Sequence, residues 1–468
     1  MRHFCLLAWI IIAFSGCGGS DTTSSGFGSS GCLELAGNAA TVTVTGAPLE
    51  VLESAGLAQN TVDDDGSPVP GNLQPYLAVG SCGTVGLVYL DDVAGNSELR
   101  YLDVSVDQGV PETVDDGVSW ADASAALAFD ADCVPHLVTS TDDQDLVDYT
   151  RGADGVWTAK VLDAAGALGG QGGRVYTDFA ALGTDGVLRI LGWVWVDGGK
   201  TPLVITYSDG AWTVAGYPVL SEAEQVFAWA AAEDGSVHAV FNIPNTYPCD
   251  PCNRDLMWGR TTASGPWESA QVEGTVWGNP DDRFADQADL AIDKEGQPVI
   301  AARWRRSAIT GSLKNSELVL YAPRSDLTWC GETAVSAPDG YGGGDGPKFT
   351  GEMPTISLDN QGNPHIAFQD LTEWHNGQGW ANGIQGQARH AVRTGGGWTT
   401  TTVLSQPGQI DSPNPLQGFV RAVAVPTADG KSVWLAGSQR VWETDSIYND
   451  TAVPVTWKLQ VFRLDIAY

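Results

Sequence analysis

Three clusters of aromatic and charged residues crowd the second half of this sequence: Arg303-Trp304-Arg305-Arg306, Glu373-Trp374-His375 followed by Trp380, and Trp442-Glu443. Arg283 lies between Trp277 and the first of them. A flat indole stacks on apolar surface while an arginine fork or a carboxylate fixes orientation, which is how proteins grip sugars and peptide segments. Motifs for catalysis are missing: there is no His-Glu-x-x-His, no Gly-x-Ser-x-Gly, no phosphate loop and no dinucleotide fingerprint. Cleaving a glycosidic bond needs only two carboxylates about 5–10 Å apart. With 57 Asp and Glu in the chain, Glu373, Glu443, Asp282 and Asp445 are suitable without any being singled out. These residues imply binding of a glycan or protein ligand, with no cofactor and no metal. A carbohydrate-active enzyme using the same residues, and a purely structural scaffold, are the alternatives.

The elements that position these residues repeat. Segments 126–136, 230–238, 290–299, 356–365 and 423–433 share one template: a short apolar alternation, an Asp/Gly turn and a second alternation. Worn copies stand at 76–89 and 179–191. Glycine supplies the positive φ of a tight hairpin, and the Asp side chain bonds backbone N–H groups two residues on. A third strand follows, then a strand opening on Trp157, Trp212, Trp267, Trp329 or Trp398. Four strands per unit at steps of about 50–70 residues, with no helical pattern between units, is β-propeller arithmetic. The prediction is an all-β fold over 32–468: a seven-bladed propeller of four-stranded antiparallel blades, its tryptophans packing between blades. The last unit lacks a fourth strand, and residues 40–45 (ATVTVT) read like the fourth strand at 398–403, so an N-terminal strand is expected to close the ring.

Residues 1–16 have a basic start, an apolar run of eleven residues at 4–14 and small residues before Cys17. That run is too short for a membrane helix, which needs about 20 residues. Phe14-Ser15-Gly16-Cys17 resembles the lipobox of bacterial lipoproteins, with Phe14 where that family prefers Leu. The resemblance implies a signal peptide over 1–16, an acyl group on Cys17, a Gly/Ser-rich tether over 17–31 and a cell-envelope location, the Gly18 that follows favouring the outer membrane. A net charge of −33 excludes nucleic-acid partners and leaves the acyl group as the only membrane contact. A monomer is expected. Six cysteines then remain, an even number that suits disulfides in an oxidising compartment. Cys249-Asp-Pro-Cys252 is read as a local disulfide, because no second Cys pair or paired His stands near it to complete a zinc site. Connectivity of Cys32, Cys82, Cys133 and Cys330 is open.

The element at 356–368 (ISLDNQGNPHIAF) resembles repeats of secreted bacterial propellers distantly akin to sialidases. Sialidase Asp-boxes are absent, since the matching turns read Tyr207-Ser-Asp-Gly-Ala-Trp212 and Thr394-Gly-Gly-Gly-Trp398. His136, His238 and His365 follow the first turn of their units and are expected to be structural, on the face of the short turns. Blade-to-blade connections and second-to-third-strand loops share the other face. Those loops are short at 140–145 and 196–201 and long at 242–255, 304–315, 369–387 and 439–456. The aromatic and arginine clusters are therefore expected in loops on one face of blades four to seven.

Overall fold

The computed structural model describes residues 32–468 apart from 34, 36, 55–75, 94–95, 107–108, 117–124, 141–145, 163–174, 183–185, 197–198, 224, 245–253, 275–280, 309–312, 325–327, 337–344, 376–380, 406–416, 428 and 443–453. The named elements among the described residues are all β-strands. Strand β1 (Thr41–Ser54) comes first. Blade one is β2 (Tyr76–Val79), β3 (Val85–Val93), β4 (Asn96–Asp103) and β5 (Glu112–Asp115). Blade two is β6 (Ala125–Phe129), β7 (Pro135–Ser140), β8 (Leu146–Arg151) and β9 (Trp157–Leu162). β10 (Val175–Leu182), β11 (Leu188–Val196), β12 (Gly199–Ser208) and β13 (Ala211–Gly216) make blade three. Blade four follows with β14 (Gln225–Ala231), β15 (Val237–Pro244), β16 (Arg254–Thr261) and β17 (Glu268–Glu273). Blade five holds β18 (Asp281–Ile292), β19 (Pro298–Ala308), β20 (Leu313–Pro323) and β21 (Trp329–Ser336). In blade six are β22 (Asp345–Leu358), β23 (Pro364–His375), β24 (Ala381–Thr394) and β25 (Gly397–Ser405). The last blade takes β26 (Gln417–Pro426), β27 (Ser432–Trp442) and β28 (Pro454–Ala467), with β1 as its fourth strand.

First strands of successive blades pack side by side round the ring, β26 against β2 included, so the sheets close as a seven-bladed β-propeller. β1 pairs antiparallel with β28 from Thr41↔Ala467 to Ser54↔Trp457, a longer closing strand than residues 40–45 alone predict. The hydrophobic core is not central. It consists of clusters lying between neighbouring blades, for example Val88, Leu99 and Tyr101 of blade one against Leu127, Leu137 and Tyr149 of blade two. This follows from the sequence pattern: each sheet is apolar on both faces, and the next blade covers each face. Fourth-strand tryptophans pack there as expected. Trp157 meets Tyr101 edge-on and donates to Glu112 of blade one at 3.0 Å, and Trp212 donates to Asp148 of blade two at 2.8 Å.

The Asp/Gly turns behave as their chemistry requires. Asp293 Oδ1 accepts from the N–H groups of Glu295 and Gln297, and Asp359 Oδ1 from those of Gln361 and Asn363. Gly296 and Gly362, three residues after each Asp, have φ of 77° and 80°. In blade two that left-handed position is held by Cys133, which is bonded to Cys82 in the equivalent turn of blade one. A second disulfide joins Cys32 to Cys330 at the start of β21. Both bridges lie on the turn face, and they resolve the connectivity that sequence left open. Cys17, Cys249 and Cys252 lie outside the described residues.

Candidate functional site

A first strand ends at an Asp/Gly turn, so its beginning, the second-to-third-strand hairpin and the blade-to-blade connection all lie on the opposite, hairpin face. Strand lengths differ sharply there. Among the described residues, first strands have 4 and 5 residues in blades one and two, but 12, 14 and 10 in blades five to seven. The first strands of blades three to seven each carry a β-bulge before this extension, at Asp178, Phe227, Asp286, Gly351 and Val420. β22 adds further register shifts and a positive φ of 47° at Met353. Bulges re-aim side chains and concentrate beside functional sites, while a non-glycine residue at positive φ costs of order 1–3 kcal/mol and persists where the surroundings enforce it. Sequence reading missed these positions. Their signal is an alternation that slips by one, as at Val226-Phe227-Ala228.

Of the expected long loops, 304–315 and 369–387 are largely strand, while most of 242–255 and 439–456 lies outside the described residues. β19 runs to Ala308 and β20 resumes at Leu313; β23 runs to His375 and β24 resumes at Ala381. Apolar alternation ends where the blade-to-blade core ends, but a hairpin continues beyond it by pairing its backbone polar groups in its own ladder. Arg305, Arg306, Trp374, His375 and Trp442 are therefore strand residues, and Arg283 belongs to β18. The ladder sets Arg306 opposite Arg283, Trp374 opposite both Asp345 and Gly383, and His375 opposite Ala381. Trp442 stands opposite Pro454. Trp380 and Glu443 lie outside the described residues.

Arg303 and Trp304 require a correction, because neither is an exposed loop residue; both are completely buried within β19. Trp304 sits between blades four and five among Ala228, Leu256, Ala285, Val319 and Tyr321, its ring centroid 6.4 Å from that of Tyr321. The basic run misled because Arg305 and Arg306 follow at once, while β19 was still inside the core. Trp304→Ala is expected to cost about 3–5 kcal/mol of stability, as for other buried aromatics. Chemical denaturation would measure it, and a loss below about 1 kcal/mol would contradict the burial.

The hairpin side of blade six is held by its own polar pairs. Arg389 donates to Asp370 and, at 3.2 Å, to Thr400 Oγ1, with its guanidinium 5.4 Å from the Phe368 ring centre. The three repeat histidines lie elsewhere, at the turn face, and are buried. His136 Nδ1 is 3.2 Å from Asp148, and Trp258 donates to His238 Nδ1 at 3.3 Å. His365 Nδ1 is 3.2 Å from His390 Nε2. Burial pushes His238 down to about 4 and holds His365 and His390 below the ordinary histidine range. Among the described residues no group of three or more His, Cys, Asp or Glu is placed to hold a metal ion.

No family model and no curated protein matches the sequence. Solved structures of similar outline include the polysaccharide lyase Uly1, at 11% identity and TM-score 0.49 over 90% of this chain and 99% of that one. Another is the neuraminidase-like protein of subtype N11 from A/flat-faced bat/Peru/033/2010, at 10% identity and TM-score 0.37 over 79% and 95% of the two chains. A third is the Penicillium chrysogenum alpha-L-arabinanase complexed with arabinobiose, at 11% and 0.35 over 72% and 92%. The architecture rests on the strand pairing itself.

Proposed function

We propose that the protein is an exported, lipid-anchored propeller of the cell envelope that binds a glycan through the hairpin face of blades four to seven, without catalysis. The observation that carries this reading is the extension of the first three strands of blades five to seven on one face only, past the bulges. Building an extended rim of paired strand costs chain entropy. Its composition suits sugars: at the blade-six tip Trp374 stands between Asp345 and Gly383, an aromatic flanked by a carboxylate and by a residue with no side chain. A ring beside a polar group is the usual element of carbohydrate recognition.

Acylation at Cys17 accounts for the Gly/Ser stretch over 17–31. Cys32, which follows that stretch in the sequence, is itself fixed on the turn face by Cys330. Metabolic labelling with a clickable fatty acid should mark the protein and lose the mark in Cys17→Ser. For the ligand, the purified protein is expected to bind members of a glycan array. Trp374→Ala should weaken that binding at least tenfold with an unchanged melting curve. No binding to any glycan, or full binding by Trp374→Ala, defeats the reading. Turnover of the bound oligosaccharide that is lost in Glu373→Gln would make the face catalytic instead.

A further inference from the structure

Acids outnumber bases 57 to 24 in this chain, yet between Val299 and Ser316 stand Arg303, Arg305, Arg306 and Lys314 with no Asp or Glu. One of them, Arg303, is consumed by the core, where it is completely buried. The others lie further along β19 and β20, towards the hairpin face. The antiparallel register then brings a fourth base to this group, together with Asp281 and Asp282, which pair with Ala308 and Ser307. Arg283 of β18 pairs directly with Arg306, and the next pair along the ladder is Phe284 with Arg305. The Asp286 bulge falls between the Ala285–Trp304 pair and the Gln287–Arg303 pair, so this arginine ladder belongs to the extension that the bulge introduces.

Like charges directly opposite each other across an antiparallel pair repel, and such pairs are normally avoided. Directly paired strand residues are about 4.5–5.5 Å apart, a separation that one multi-oxygen anion can bridge. Guanidinium forks match the oxygens of a carboxylate or a sulfate two at a time, which lysine does not do. Successive ladder positions alternate between the two faces of a sheet, so Arg283 and Arg306 share one face while Phe284 and Arg305 share the other.

We propose that the blade-five ladder position where Arg283 lies opposite Arg306 binds the anionic substituent of an acidic glycan, a uronate carboxylate or a sulfate ester. This rests on the glycan reading above and narrows it to a charge class. The neighbouring blade-six tip, with Asp345, Trp374 and Gly383 in register, takes an uncharged part of the same chain. An acidic protein with a net charge of −33 gains no general attraction for such polymers. Selectivity for them must therefore come from a local group of bases.

The test uses the full chain and two matched pairs of probes: polygalacturonate against its fully methyl-esterified form, and dextran sulfate against dextran. Isothermal titration should show at least one acidic member binding tenfold or more tighter than its neutral partner. The double variant R283Q/R306Q should reduce that ratio to near one with an unchanged melting temperature, whereas Lys294→Gln, an exposed base on the turn face, should leave it intact. R306K, which keeps the charge and loses the fork, tests the same point should the double variant fail to fold, and is expected to lower the ratio at least threefold. Equal binding of acidic and neutral members, or a ratio untouched by either arginine variant, overturns the proposal and leaves the glycan reading standing. No binding of any of the four probes or of any glycan on the array overturns both.

Discussion

Deleting residues 32–54 is expected to abolish cooperative folding. The segment supplies the fourth strand of blade seven, paired with β28 along its length. It also fills two blade-to-blade clusters, Ala40, Val42 and Val44 on the side of blade six, and Leu49 and Val51 on the side of blade one. Burying a Val or Leu side chain fully is worth about 1.5–3 kcal/mol; Val42, Val44, Leu49 and Val51 are half-buried, so their loss, with that of the ladder to β28, reaches the lower part of the 5–15 kcal/mol that stabilises a typical domain. Cys32–Cys330 adds to this, since a bridge of sequence separation 298 is worth about 6 kcal/mol in the chain-entropy account. Along the way the segment is held by Cys32 N–H donating to Glu332, and by Thr394 and Thr399 donating to the carbonyls of Asn38 and Ala40. Thermal unfolding followed by circular dichroism is the measurement. A normal transition in the truncated protein would exclude closure by β1. A milder variant reads the same feature: a Cβ at Gly396 would stand 1.9 Å from the backbone nitrogen of Ala39, so Gly396→Ala must displace the segment and lower the melting temperature.

Stability is expected to fall as pH drops from about 6.5 towards 4 because of the buried turn-face histidines. Burial lowers His238 from an ordinary 6.5 to about 4. Above 6.5 the ring is neutral in both folded and unfolded chains and pH has no effect through it. Below 6.5 the unfolded chain takes up a proton that the folded one refuses, so stability is lost progressively until the folded value is reached. A displacement of this size costs about 3 kcal/mol at the acid end. His365 and His390 shift in the same direction, His390 through burial and the neighbouring His365. Asp359 is held far below the carboxylate range, against the effect of its burial, by the His365 ring 3.7 Å away and by hydrogen bonds from Asn363 and Tyr468. It therefore contributes stability above the ordinary Asp value that is lost on further acidification. Protonating the many surface carboxylates relieves repulsion and acts oppositely, but equally in wild type and variant. The histidine contribution is thus the difference in urea midpoint between wild type and His238→Gln, followed from pH 7 to pH 4. Parallel pH profiles for the two proteins would exclude it.

Much of the fold was legible because β-propellers repeat. Asp293 and Asp359 with Gly296 and Gly362 mark turns whose geometry is set within four residues. The tryptophans at the start of the fourth strands of blades two to six mark the core between blades, and the likeness of residues 40–45 to 398–403 exposed the closing strand. Each of these signals is local or periodic, and each follows from backbone sterics and hydrogen bonding that a short segment carries with it. The choice of face was legible for the same reason, since strand order fixes which connections share a side.

Tertiary structure decided the rest. Which cysteines pair depends on the ring bringing residue 32 beside 330 and turn 82 beside turn 133, distances that spacing along the chain does not encode. Trp304 reads like its neighbours in a basic aromatic run, yet burial between blades four and five makes it core, while the ladder carries Arg305 and Arg306 on towards the tip. Arg283 acquires its place opposite Arg306 only through the register of β18 on β19, shifted by the Asp286 bulge. Composition and period thus determined that this chain is a ring of four-stranded blades with one elaborated face. Packing and register determined which of the residues expected on that face belong to the core and which continue along the ladder beyond it, because burial and cross-strand pairing are properties of neighbours in space.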